Sequence, residues 1–181
     1  MLSKVIVIGC PGAGKSTFAR KLKKETCLPL YYLDMLWHKP DKTTISRNEF
    51  DIKLKEIISK DKWIIDGNYS RTLEIRFQAC DTVFLLDMPV DECLAAAESR
   101  IGKTREDMPW VETEFDEEFR QWILNFSQKE MPVVYDLIDK FQNEKNIYIF
   151  RSRDDIKNYL EKTFCNATLS TIDLKREKEN V

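Results

Sequence analysis

The chain has 181 residues, 43% of them hydrophobic and 33% charged, with a net charge of −2. That length suits a single domain with a sizeable core, and that balance excludes an intrinsically disordered chain. A pI near 5.6 provides no general attraction to nucleic-acid phosphates. Five scattered cysteines without C-x-x-C spacing and a single histidine, His38, argue against a structural zinc site. With no leader pattern and no membrane-length apolar run, a cytoplasmic protein with free thiols is expected.

The apolar run Val5-Ile6-Val7-Ile8 predicts a first strand. Gly9-Cys10-Pro11-Gly12-Ala13-Gly14-Lys15-Ser16 follows it, and Phe18, Ala19 and Leu22 then recur at helical spacing to about residue 25. Strand, glycine loop and helix together match G-x-x-x-x-G-K-[ST], the Walker A phosphate loop. Glycines admit positive φ and close approach of an anion, so successive N–H groups form a nest at a helix N-terminus. Lys15 would reach the β- and γ-phosphates, Ser16 would ligate Mg²⁺, and Thr17 would meet the α-phosphate. Gly9, Pro11, Gly12, Ala13 and Gly14 form the rest of the cradle.

The run from Leu28 to Leu33 predicts strand 2, ending at Asp34. A loop carrying Trp37, His38 and Pro40 follows, then a helix over about residues 46–59 that opens on a Ser46…Glu49 capping box. Lys62-Trp63-Ile64-Ile65-Asp66-Gly67 reads as strand 3, closed by its acidic residue and turn glycine, and a polar loop through Asn68 and Arg71 leads into a short helix. Strand 4 covers about residues 82–87, and a helix runs from Asp91 to about residue 100. A basic loop around Gly102, with Arg100, Lys103 and Arg105, precedes helices expected over about residues 112–125 and from Pro132 to Phe141. Strand 5 is about residues 146–150, reached just before Arg151 and Arg153, and a last helix follows. One kinase-like domain over residues 1–165 is expected, with an acceptor-binding helical part near 35–62, a lid near 100–110 and a polar tail at 166–181.

Alternating strands and helices predict an α/β fold, a parallel sheet with helices on both faces, with ligands at the C-terminal strand edge. Asp34 would accept the proton of a hydroxyl acceptor, or orient the acceptor or a Mg²⁺ water. Asp66, ending a strand of Walker B form, would hold Mg²⁺; otherwise it is a turn residue. Arg71 would clamp an acceptor phosphate or carboxylate, assisted by Arg47 and Arg76, with Asn68 nearby and Trp37 as a wall. Arg100 and Arg105 would stabilise the transferring phosphoryl group from the lid, and Arg151 and Arg153 would border the nucleotide; the bland alternative for each is a solvated charge. His38 has no partner at triad or metal spacing and reads as structural.

The phosphate loop, Leu30-Tyr31-Tyr32-Leu33-Asp34, Trp63 through Thr72, Gly102 through Met108 and Arg151-Ser152-Arg153 resemble the bacterial DNA topology modulation protein (FlaR-related) family, itself adenylate-kinase-like. The resemblance covers about residues 3–163. It implies a three-layer P-loop kinase fold with strand order 2-3-1-4-5, and ATP and Mg²⁺ as cofactors. Asp66-Gly67-Asn68-Tyr69-Ser70-Arg71-Thr72 is similar to the D-G-F-P-R-T of adenylate kinases but one residue longer, which departs from an AMP site. Asp34 resembles the strand-2 aspartate of shikimate-, gluconate- and uridine-kinase-like enzymes, which meets a hydroxyl acceptor. The expected activity is transfer of the ATP γ-phosphate to a nucleotide or a small hydroxyl-bearing molecule. A nucleotide-dependent DNA topology modulator and a plain ATPase stay open beside it.

Overall fold

The computed structural model describes residues 2–165. The tail expected at 166–181 lies outside the described residues. β1 (Lys4–Gly9) is fully buried from Val5 to Ile8, as a central parallel strand must be when both faces are covered. β3 (Trp63–Asp66) and β4 (Thr82–Leu86) flank it, equally apolar and equally buried. β2 (Leu30–Tyr32) and β5 (Asn146–Phe150) form the edges, giving an all-parallel sheet of order β2-β3-β1-β4-β5. The fold is therefore the three-layer α/β arrangement that the alternation of strands and helices predicts.

Parallel strands need crossover connections, and these put helices on both faces. α1 (Lys15–Thr26) sends Phe18 onto Phe84 of β4 and Phe150 of β5, with ring centroids 4.9 and 5.5 Å apart. α8 (Arg153–Leu160) joins the same aromatic cluster through Tyr159, 5.2 Å from Phe84. On the other face α4 (Leu73–Ala79) and α7 (Met131–Phe141) meet through Phe77 and Phe141. The remaining helices are α2 (Leu33–Trp37), α3 (Arg47–Ile58), α5 (Val90–Glu98) and α6 (Glu117–Lys129). Among the described residues no helix is long and apolar enough to cross a membrane.

Two elements differ from expectation. The segment after β2 is a helical turn, not a loop, so Asp34 sits in the first turn of α2. Leu33 beside it is completely buried and pins that turn to the core. The helix expected from residue 112 begins instead at Glu117, where the Asp116 side chain accepts the Phe119 amide at 2.7 Å as N-cap. Residues 99–116 are therefore irregular, a longer stretch than the 100–110 expected for a lid. Register sets what reaches the C-terminal edge: Tyr32 of β2 and Val7 of β1 both lie opposite Asp66 of β3, and Gly9 lies opposite Leu86 of β4.

Candidate active site

The phosphate loop leaves β1 at the sheet edge and enters α1 at Lys15. Gly14, the N-cap of α1, has φ 95°, and Gly12 has φ 85°. A Cβ on Gly12 would stand 1.9 Å from the Cys93 carbonyl oxygen, so both conformation and space demand glycine there. The loop is braced from outside. The Arg153 guanidinium donates to the carbonyls of Ala13 and Gly12, so those oxygens are already engaged. Asn68 braces the strand end, accepting from the Gly9 amide at 2.9 Å and donating to its carbonyl at 2.6 Å. The Lys15 ammonium folds back onto the Cys10 carbonyl at 3.0 Å. Desolvation lowers its pKa, while the charges of Asp66 and Asp34 pull the other way.

Asp66 is 4% exposed, and its Oδ1 has no hydrogen-bond partner among the described residues. Burial pushes its carboxyl up to about 6, with Lys15 and the Ser16 hydroxyl pulling it back. A buried, unpartnered carboxylate oxygen beside Ser16 fits a hard cation that takes a few protein oxygens and completes its shell with phosphates and water. Among the described residues no three His, Cys, Asp or Glu side chains are grouped to hold a metal by themselves. Ser16 and Asp66 are thus the residues that would hold Mg²⁺.

The irregular segment 99–116, where a lid is expected, packs on this loop. Asp107 accepts the Ser16 hydroxyl at 2.7 Å and is gripped by Arg105 through Nε at 3.1 Å and Nη2 at 2.8 Å. Arg105 also reaches Glu112 at 2.9 Å. Desolvation opposes ionisation of Asp107, but hydrogen bonds from Arg105 and Ser16 outweigh it and hold its pKa at about 2. Arg100 lines the cleft, and its pKa is lowered by burial and by neighbouring Arg105. Gly102 turns the lid with φ 74°, donating its amide to the Glu112 carbonyl at 2.7 Å.

A cavity of about 650 Å³ is lined by Pro11, Lys15, Ser16 and Asp66 together with Asp34, Trp37 and Tyr69. Asp34 accepts the Tyr69 hydroxyl through Oδ1 at 2.8 Å. Burial, then the charge of Asp34, raises the Tyr69 pKa, so the phenol stays a proton donor. Trp37 and Tyr69 both rest on Phe50 of α3, centroids 5.5 and 5.2 Å away. His38 stands edge-on to Trp110 at 4.9 Å, and burial lowers its pKa. Thr17 lies in an adjoining polar pocket of about 320 Å³ with Arg20, Arg100 and Thr104.

Lys15, Ser16, Asp34, Trp37, Asp66, Asn68, Arg100 and Arg105 are therefore brought to one cleft. Other expected residues are placed elsewhere. Arg71 is exposed and turned onto Asp51 of α3 through two hydrogen bonds of 2.8 and 2.6 Å. Arg47 is exposed and outside the cavity wall. Arg151 is exposed, its Nε 3.9 Å from Asp87, and it borders a separate small pocket. Sequence reasoning did not foresee that Tyr69 partners Asp34 or that Asp107 partners Ser16, and it expected Arg76 to assist Arg71 at the acceptor, which the structure does not bear out. Arg76 is completely buried and donates to the carbonyls of Gly67, Asn68, Tyr69 and Thr72, fixing the loop after β3. Only the acidic residue two positions beyond Arg105 hinted at the lid contact.

No family model matches the chain, and no curated protein matches it. Solved structures do. A shikimate kinase from Acinetobacter baumannii in complex with shikimate superposes with TM-score 0.60 at 17% identity, covering 92% of this chain and 95% of the other. A shikimate kinase from Bacteroides thetaiotaomicron superposes with TM-score 0.59 at 15% identity, covering 90% of this chain and 96% of the other. Neither comparison extends to the topology modulation family; what they share with this chain over nearly its whole length is the P-loop kinase fold.

Proposed function

We propose that the protein is a Mg²⁺-dependent phosphotransferase that moves the γ-phosphate of ATP to a hydroxyl of a small molecule. One observation carries this reading: Lys15, Ser16, Asp66 and Asp34 line a single cavity at the C-terminal edge of the sheet. Phosphoryl transfer asks mostly for positioning and charge stabilisation, and those are the groups supplied. The loop amides and Lys15 bind the phosphates. Ser16 and Asp66 would hold Mg²⁺, which would supply positive charge for the phosphate oxygens. Asp34, oriented by Tyr69, accepts the acceptor proton on its free oxygen while the acceptor oxygen bonds to phosphorus and ADP leaves. Arg100 adds positive charge from the lid, and the lid excludes water. The like fold of two shikimate kinases supports the kinase class.

Binding of MgATP to the wild type and to Lys15→Ala, measured by calorimetry, tests the phosphate site. The reading requires clear binding by the wild type and a loss of at least about tenfold in the variant. Equal affinities would remove the phosphate-site assignment.

A further inference from the structure

The acceptor half of the cleft has few free cations. An anionic acceptor is held by arginine forks. Here the nearby arginines are committed. Arg71 faces Asp51, outside the cavity. Arg76 is buried under the loop carbonyls. Arg105 is held by Asp107 and Glu112. Lys15 and Arg100 serve the phosphate end; Lys42 lines the cavity without an ion-pair partner among the described residues and is exposed, as are Glu114 and Asp116, so the carboxylates outnumber the one free cation there.

The same half is rich in carboxylates and rings. Asp34, Glu114, Asp116 and Glu130 line the cavity, and none has an ion-pair partner among the described residues. Asp116 caps α6 and Glu130 accepts the Ser70 hydroxyl, so both keep their charge in place. Trp37, Trp110, Phe115 and Tyr69 line the same cavity. Unpaired carboxylates facing one cavity make its potential negative, and aromatic faces attract a cation further.

Resting on the kinase reading above, we propose that the acceptor is a hydroxylated amine, an amino alcohol or amino sugar, with its hydroxyl at Asp34 and its ammonium among the aromatic rings with Glu114 and Glu130. In the transfer, the hydroxyl oxygen forms a bond to the γ-phosphorus, the bond from that phosphorus to the β–γ bridging oxygen breaks, and the hydroxyl proton passes to Asp34. The ammonium keeps its protons throughout.

The test holds skeleton constant and varies charge. Glucosamine, glucose and glucuronate, then ethanolamine and ethylene glycol, are titrated into the protein loaded with Mg²⁺ and a non-hydrolysable ATP analogue; AMP and shikimate are the other anions. Each amine is expected to bind about tenfold tighter than its neutral counterpart, and the anions weakest. Glu114→Gln with Glu130→Gln should shrink that preference to about threefold or less. Equal or inverted preference in both series, absence of binding by both amines, or an unchanged preference in the double variant overturns the inference. Failure of the nucleotide analogue to bind is a different result, since it removes the kinase reading itself.

Discussion

The donor half of the cleft is held by backbone, the acceptor half by side chains. In the donor half the strand register fixes Gly9 opposite Leu86 and Val7 opposite Asp66, and Arg153 and Asn68 lock the loop through its own peptide groups. In the acceptor half Asp34 is oriented by one phenol, Trp37 by ring contacts, and the wall is completed by an irregular lid. On the proposed kinase reading, the difference follows from the ligands. A triphosphate presents the same oxygens in every protein, so a rigid nest of amides suits it. An acceptor varies in shape and charge, and side chains on α2, α3 and the lid can be exchanged without disturbing the sheet.

That contrast is breakable by substitution. The largest effect belongs to the donor half: Lys15→Ala should lower the rate of phosphoryl transfer about 10³-fold, read from initial rates of ADP formation. Next comes the bridge between halves. Arg76→Met leaves three loop carbonyls short of donors and should cost about 3 kcal/mol in a denaturant titration.

The lid latch should show in acid. The Asp107 pKa, about 2 in the folded protein, is below the ordinary 3.8, so its stabilisation is complete above about pH 4 and is lost as pH falls toward 2. The span corresponds to about 2 kcal/mol. Asp107→Asn should flatten the acid limb of stability against pH by that amount. Asp66 has the opposite sign. Its pKa is raised to about 6, so its contribution to stability is complete below about pH 4 and falls as pH rises through 6. The smallest effect is expected at Arg71, whose ion pair with Asp51 is exposed. Arg71→Ala should change the acceptor KM less than about twofold, and a tenfold rise would return Arg71 to the cleft.

The same division governs what the sequence discloses. The apolar runs of β1, β3 and β4 and the glycine spacing of the phosphate loop are local patterns, and each appears where the pattern places it. Asp34 and Asp66 follow because strands of a parallel sheet deliver their ends to one edge. The α2 turn was not legible, since five residues are too few for a helical period to register. Nor was the division of labour among arginines. Arg71 and Arg76 stand five positions apart with identical chemistry, but one meets Asp51 across 20 residues of sequence and the other is buried beneath the loop. Pairing of that kind is tertiary, and so is the Asp107 contact with Ser16, 91 residues away.

The most direct test of the whole account is acceptor-stimulated ADP formation, followed in the wild type and in Asp34→Asn. The account predicts ATP turnover that rises with a hydroxylated acceptor and a phosphorylated product formed in equal amount. In Asp34→Asn the stimulation should fall about 10²-fold while MgATP affinity stays within about twofold. Turnover that is the same with and without every acceptor tried, and unchanged in Asp34→Asn, would contradict it.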